Sequence, residues 1–584
     1  MKDQDYRMKP TTKPLRVMTC VLAIGAWPAA AIMAETPVTP SLTVRLRPEP
    51  PVDGSLRGIE ATVMVEDESV PAGGRIAMLP VVTSALTTSA SGIAGFAMSD
   101  ARGSVPIRTQ DVTQTPDNID RYWIADRATA GTLTWSYRVA VDPAKPLLSL
   151  PMYELRSSYG ALSGAGKAFL ALPTDAVKRR VSVRWDLRSL PADAVGLSSF
   201  GDGDADSNMD LTAEELSSTY YMVGAPGQFT APTGGFFAGW QGRPAFDMAG
   251  LMRWSANLHG YYGTFFRDPK PVFGIFGRSN PSNPGSGVGL TNSFAFTFGD
   301  TTTAAELKSM LAHEMLHVWV SSLDTVGDED SLAGSWFGEG LAVYYQRTLP
   351  YRAGALSADE FLADLNRTAS RYYTDSMIAT PNDRIPGAFW KDTRVRVLPY
   401  DRGSLYFAKL NAQIVRKSAG RRSLDDLVVS LLAERRAGRP MTIDTWATFL
   451  RRELGDAGIT EWRAMLAGQP IELASDSFGP CFVKKTVPLG EFDMGYDFVA
   501  SNANGRIVQG LKPGSNAALA GLRNGDVVKK GGAGDATQED PRAMVMLQVE
   551  RAGRPITIRY SARGRSLLIP QWITVHSRKG SCAL

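Results

Sequence analysis

The segment LAHEMLHVWV, residues 311–320, constrains the fold of this chain more than any other stretch of its length. It holds two of only four histidines in 584 residues, four positions apart, with Glu314 following the first. On a helix, positions i and i+4 share one face, so His313 and His317 can grip one metal ion only if this segment is helical. Glu314, one step round from His313, then stands beside the ion without binding it. Two imidazoles, a nearby carboxylate and an open position for water are the parts of a metal-dependent hydrolytic site. With histidine so scarce, His-Glu-x-x-His has a chance expectation on the order of 0.001. A helix whose histidines only cap or pack is the alternative.

The flanks support a helix. TTTAAELKSMLAHEMLHVWVSSL places Leu307, Met310, Leu311, Glu314, Met315 and Val318 at three- and four-residue steps, with Thr302 or Thr303 as N-cap. Such a run suits a buried helix with one polar face turned to a cleft. A structural zinc site would want four closed ligands, often cysteines. The chain has three cysteines, none nearby, so a catalytic site fits better. The expected third ligand is Glu339 in SWFGEGLAVYYQ, flanked by Trp336, Phe337, Leu341, Val343 and Tyr344. A carboxylate in apolar surroundings is costly unless it meets a cation. A helix-start carboxylate favoured by the dipole is the other reading. Asp324, Asp328, Glu329 and Asp330 read as a solvated loop.

Together, HEMLHVW and WFGEGLAVYY resemble the glycyl aminopeptidase family of zinc metallopeptidases. These are gluzincins with a thermolysin-like catalytic domain and, usually, a C-terminal PDZ domain. The family pattern His-Glu-x-x-His-x-Trp puts its tryptophan at Trp319. Its Trp-x-x-Glu-Gly segment, which carries the third ligand, is matched by Trp336, Glu339 and Gly340. A Tyr-x-(Lys/Arg)-Gly segment is matched in LPYDRGSLYFAKL by Tyr400, Arg402 and Gly403. The resemblance implies one catalytic Zn2+, Glu314 as general base and Tyr400 as donor to the oxyanion, a role that suits a phenol. An ordinary buried tyrosine is the alternative for Tyr400. Family members often carry Gly-Gly-x-Glu on the edge strand before the metal helix, where the glutamate holds the substrate amine. Here GSGVGLTNSFAFTFG has Thr291 and Asn292 in that place, so the ion-pair partner of a free N-terminus is missing. The strand from Asn292 to Phe298 is expected to be that edge, with Asn292, Ser293 and Phe294 pairing an extended peptide. The expected activity is peptide hydrolysis, as an aminopeptidase or an endopeptidase. The competing readings are a catalytically idle envelope protein that binds partners through its PDZ and β domains, and a zinc hydrolase of non-peptide amides.

The length of the chain suggests a multidomain protein of three or four domains. Its net charge of +4 is spread without a long basic run, so it carries no footprint of nucleic-acid binding. Residues 1–34 read as a signal peptide: basic MKPTTKPLR, then VMTCVLAIGAWPAAAIMA, with cleavage after Ala31 or Ala34. Trp27-Pro28 argues against an uncleaved anchor, and Cys20 lies too early for lipidation. The expected location is periplasmic or secreted, without stable membrane insertion. Cys481 and Cys582 then remain, either as a disulfide or as two thiols.

Residues 35–228 read as an all-β sandwich, from runs such as SLTVRLRP and GTLTWSYRVAV. Within them, Asp204, Asp206, Asn208, Asp210 and Glu215 fall at EF-hand spacing for Ca2+, but Met209 occupies the position that needs glycine. A solvated acidic connector is the competing reading there. Residues 229–475 have the α+β pattern of a thermolysin-like domain, in which His259 is expected to be structural. Residues 480–578 resemble a PDZ domain with GRIVQGLKPGSNAALAGLRNGDVV. Asp497 replaces the second glycine of its ligand loop MGYDF and would repel a peptide carboxylate, so the PDZ ligand stays unspecified. His576 has no assigned role.

Overall fold

The alternation in SLTVRLRP makes Ser41–Pro48 a strand whose every second side chain is buried. The structure is a computed structural model that describes residues 39–575 apart from 67, 84–85, 146–151, 269–271 and 326–327. The expected signal peptide, Cys20, His576, Cys582 and the side chains of Asp328, Glu329 and Asp330 lie outside the described residues.

Ser41–Pro48 pairs with Gly58–Val65 and, in parallel, with Arg179–Trp185 in the middle of a seven-stranded sheet. A second sheet is built on Arg75–Thr83, Asn118–Ala125 and Ile107–Thr115. The two sheets share one core, in which Phe96 of the first stacks on Trp123 of the second with ring centres 4.4 Å apart. A third sheet, containing Ala161–Ala165, Val195–Ser198 and Tyr220–Gly224, is buried on both faces. Its Leu197, Tyr220 and Met222 pack on Phe237, Phe276 and Ala295 of the sheet that follows.

That following sheet has the order Gly227–Thr230, Phe236–Gln241, Phe273–Ser279, Ser293–Phe298, Gly287–Leu290. Its three middle strands are parallel, and helix Met248–Phe265 links the first two of them. Its first strand straddles the 228/229 boundary expected from sequence. Ser293–Phe298 was expected to be the edge, and it is not. The chain reverses at Thr291–Asn292, with Asn292 at φ 50°, so the glycine-bearing strand Gly287–Leu290 lies outside it. Asparagine tolerates that left-handed conformation better than most residues. From Gly338 to Leu466 the chain is helical.

The residues at EF-hand spacing do not form a calcium loop. Ala205–Leu211 is a strand paired with Arg179–Trp185, not a loop. Asp206 is bound by Arg184 at 2.5 Å, Asp210 faces Arg180 at 3.4 Å, and Asp204 accepts the Trp185 amide at 2.7 Å. Glu215 closes a capping box on Thr212. The acids are engaged separately and do not converge.

The C-terminal region has its own core around Phe492, Phe498, Val528, Leu547 and Tyr560. Asp497 caps helix Phe498–Ala503 by accepting the Ala500 amide at 2.9 Å. Cys481 is disulfide-bonded. Strands Phe482–Phe492 and Arg563–Thr574 form a long ribbon against helix Ala358–Tyr373, where Asn366 exchanges two hydrogen bonds with the Trp572 backbone. Helix Asp535–Glu539 adds a buried contact, with Gln538 donating to Asp375 at 3.2 Å.

Burial raises the Asp375 carboxyl from 3.8 to about 8. The folded state therefore binds more protons than the unfolded chain between those values. Its contribution to stability is full below 3.8 and is lost as pH rises through 8. Asp375→Asn abolishes this loss. Its melting temperature relative to wild type climbs from pH 4 to 8 and levels off above. A difference that stays constant across that range refutes the assignment.

Candidate metal centre

Thr303 caps helix Ala304–Leu316 through a reciprocal box with Glu306. Leu307, Leu311 and Met315 bury one face of this helix, which presents Glu314 and His317 to a cleft. His317 is the C-cap residue. Beyond it the chain turns back so that the Val320 carbonyl accepts from His317 Nδ1 at 3.0 Å. Trp319 then anchors the segment by stacking on Phe266, ring centres 5.4 Å apart, and by packing on His259. Burial drives His259 down to about 4, so it is a neutral core residue, as expected.

Glu339 enters from the first turn of helix Gly338–Arg352. His313 Nε2 lies 3.2 Å from Glu339 Oε2 and 3.1 Å from His317 Nε2, and the third side, His317 Nε2 to Glu339 Oε2, is 3.5 Å. Each histidine gives its Nδ1 proton to an oxygen, of Gln346 at 3.0 Å or of Val320. Both Nε2 atoms converge on the Glu339 carboxylate and on each other, and with the proton on Nδ1 each can offer its lone pair to a cation placed between them. Three electron-rich atoms held so close call for a cation. A tetrahedral zinc ion with ligand bonds of 2.0–2.1 Å requires ligand separations of roughly 3.3 Å, and the triangle matches this. Among the described residues this is the one gathering of three or more His, Cys, Asp or Glu side chains that can hold a metal.

The two carboxylates of the cleft are tuned apart. For Glu339, burial raises the pKa, but hydrogen bonds from His313 and His317 outweigh it and hold the group well below the usual carboxylate range. For Glu314, burial dominates and raises it, against the pull of both histidines. The two carboxyls are thus biased in opposite directions, Glu339 towards its ionised form and Glu314 towards its neutral one. For His317, burial acts against protonation, but the bond and charge of Glu339 prevail and raise it to about 9. Tyr400, on helix Leu398–Lys417, places its ring 6.2 Å from that of His313. Burial, together with the charges of Glu339 and Glu314, keeps it a phenol and so a hydrogen-bond donor.

The cleft measures about 830 Å³ and is also walled by Asn208 and Met209 of the N-terminal β region. Of the expected substrate contacts, Asn292 lies on this wall, with its amide 3.3 Å from Asn208 Oδ1. Ser293 borders the cleft but is buried, hydrogen-bonded to Ser199 at 2.7 Å. Phe294 is corrected: it is a core residue, 1% exposed, because the hairpin turns it inward. Gly289 and Leu290 of the true edge strand take that place in the cleft. Sequence reasoning also missed Gln346, which sits two turns beyond Glu339 on the same helix face. That spacing was its only signal.

Residues 306–380 match the model of a family described as M61 glycyl aminopeptidase. The match spans the His helix and Glu339 and stops short of Tyr400. No curated protein matches the chain. Among solved structures, an aminopeptidase N family protein from Idiomarina loihiensis aligns over 91% of this chain and 98% of its own, at 16% identity and a TM-score of 0.63. That likeness establishes the architecture. An M1 zinc metallopeptidase from Deinococcus radiodurans covers 74% of this chain and 95% of its own, at 16% identity and a TM-score of 0.44. Native yeast LTA4 hydrolase covers 73% and 67%, at 13% identity and a TM-score of 0.44.

Proposed function

We propose that this protein is a zinc-dependent metallopeptidase whose ligands are His313, His317 and Glu339 and whose general base is Glu314. The observation that carries the reading is the triangle of two Nε2 atoms and one Oε2, with sides of 3.1–3.5 Å, inside a cleft that also holds Glu314. A zinc ion bound there supplies Lewis-acid polarisation and makes water acidic near neutral pH. Glu314 accepts the proton of the attacking water as its oxygen adds to the scissile carbonyl carbon. The Tyr400 hydroxyl donates to the oxyanion. Glu314 then delivers its proton to the departing amine as the C–N bond breaks.

An extended peptide would lie along Gly287–Leu290, whose outer edge pairs with no other strand of its sheet. Among the described residues that line the cleft, the acids are Glu314 and Glu339, and both are assigned roles. Thr291 gives its hydroxyl to the Glu215 carbonyl at 2.7 Å. With no further carboxylate for a terminal ammonium, the cleft accepts peptides without requiring a free N-terminus. A mixed peptide library with free and blocked N-termini tests this, run with zinc and after chelation. The expected result is zinc-dependent cleavage of both sets at rates within about tenfold, since a charge-assisted anchor is worth more than that. Cleavage of free peptides alone would establish an aminopeptidase, and no cleavage of either set would reject the peptidase reading.

The N-terminal sequence supports export to the periplasm or beyond. Among the described residues no helix is long and apolar enough to cross a membrane. The C-terminal module is proposed to be PDZ-like on its sequence pattern. With Asp497 committed to a helix cap, its carboxylate sits in the loop that would otherwise receive a peptide C-terminus.

A further inference from the structure

The two histidines are supported in different ways. His317 leans on its own chain, through the Val320 carbonyl. His313 leans on Gln346 of the neighbouring helix, whose Oε1 lies 3.0 Å from Nδ1. An amide can present either its oxygen or its NH2 to a histidine. The oxygen fixes the proton on Nδ1 and leaves Nε2 free to ligate, whereas the NH2 would place the proton on Nε2 and block it. Something must choose between them.

The choice is made on the far side of Gln346. Its Nε2 donates to Ser309 Oγ at 2.9 Å and to Asp364 Oδ2 at 2.8 Å. Ser309 donates to the same Asp364 oxygen at 2.8 Å. Asp364 is in turn held by Arg347 Nε at 2.8 Å, and Arg347 also bonds Thr368 Oγ1 at 2.7 Å. Asp364 and Arg347 are buried, 9% and 1% exposed. An ionised carboxylate offers only acceptors, so the amide can meet it only with its NH2. The oxygen is then forced towards His313. Three helices contribute: Ser309 sits one turn before His313, Gln346 two turns after Glu339, and Asp364 on Ala358–Tyr373.

We infer that Gln346 is a positioning residue, oriented by Asp364 and Ser309, which locks His313 into the tautomer that can bind a metal. The inference rests on the metal-centre reading above. It also implies that zinc affinity depends on the docking of helix Ala358–Tyr373, which touches no ligand directly among these hydrogen bonds.

The test uses the full chain and zinc alone as probe. Zinc affinity is measured by chelator competition, and the histidine tautomers by selective 15N labelling, legible because the chain has only four histidines. Gln346→Met keeps the volume but removes the acceptor. The expected result is a Kd for zinc weakened by about 10–100-fold, with His313 no longer held with its proton on Nδ1. Fold integrity is checked by the melting temperature in chelator. The double variant Gln346→Glu, Asp364→Asn exchanges the polarity of the pair: the new carboxylate accepts from His313 while the new amide donates to it. It is expected to recover both the tautomer and most of the zinc affinity. Wild-type protein that binds zinc, alongside a Gln346→Met variant that binds equally well with an unchanged tautomer, overturns the inference alone. Failure of the double variant to recover either property also overturns it. Wild-type protein that binds no zinc overturns the metal reading, and the inference with it.

Discussion

Glu314→Gln protein is expected to keep its zinc and to lose peptide hydrolysis by about 10²–10⁴-fold, the usual worth of a positioned acid–base group. Glutamine matches glutamate in shape and can still hydrogen-bond water, but it cannot take up a proton at neutral pH. Zinc stays because Glu314 is not one of the three atoms in the 3.1–3.5 Å triangle. The substitution is not expected to weaken the fold either. Burial raises the Glu314 pKa, so an ionised Glu314 is a cost in the folded state, and a neutral side chain removes that cost. The informative control is Glu339→Gln, which removes the charge of the proposed ligand and is expected to lower zinc occupancy as well as activity. Metal content and single-turnover hydrolysis, measured side by side, separate the two carboxylates. Wild-type hydrolysis by Glu314→Gln would remove it as the base. Loss of zinc from that variant would instead make it a ligand.

The parts of the site that were legible in the sequence are those where one local pattern has one physical outcome. The i, i+4 histidines and the Thr303–Glu306 box both demand the same helix, and it forms. Glu339 stood out as a charge among aromatics, and it faces both histidines. Tyr400 was named by motif, and its ring lies against His313. The misreadings came from patterns with two outcomes. Three aspartates and Asn208 at positions one, three, five and seven fit a calcium loop, but a strand has the same period of two. Asp206 and Asp210 belong to such a strand, opposite Ser182 and Arg180. Gly287–Leu290 is only four residues long and half glycine, so its Val288–Leu290 alternation is too short to read as a strand, the hairpin at Thr291–Asn292 was invisible and the edge was assigned one strand too far inward. Contacts between remote segments had no sequence signal at all. The Asp364–Gln346–His313 relay and the docking of Gln538 on Asp375 are of this kind.

Two glycines in those motifs explain why Glu339 and Tyr400 share one site, and they yield the second large prediction. Helices Gly338–Arg352 and Leu398–Lys417 touch backbone to backbone where Gly340 meets Gly403. A Cβ on Gly340 would stand 2.4 Å from Gly403 Cα. One on Gly403 would stand 2.4 Å from the Trp336 carbonyl oxygen and 2.7 Å from Gly340 Cα. No rotamer relieves a clash with backbone, so either alanine must push the helices apart. Each glycine directly follows, or lies within a turn of, a site residue, so the separation carries Glu339 away from the histidines and Tyr400 away from the cleft. Gly340→Ala and Gly403→Ala are each expected to destabilise the protein by about 3 kcal/mol, the upper end for overpacking. Zinc affinity and hydrolysis should fall together, because the ligand moves. The measurements are melting temperature in chelator, zinc Kd, and hydrolysis at saturating zinc. Gly387→Ala is the control, since nothing lies within 4 Å of a Cβ there. If the Gly340 and Gly403 variants melt and bind zinc as the control does, the close crossing does not hold the site together, and Glu339 and Tyr400 must be placed by something else.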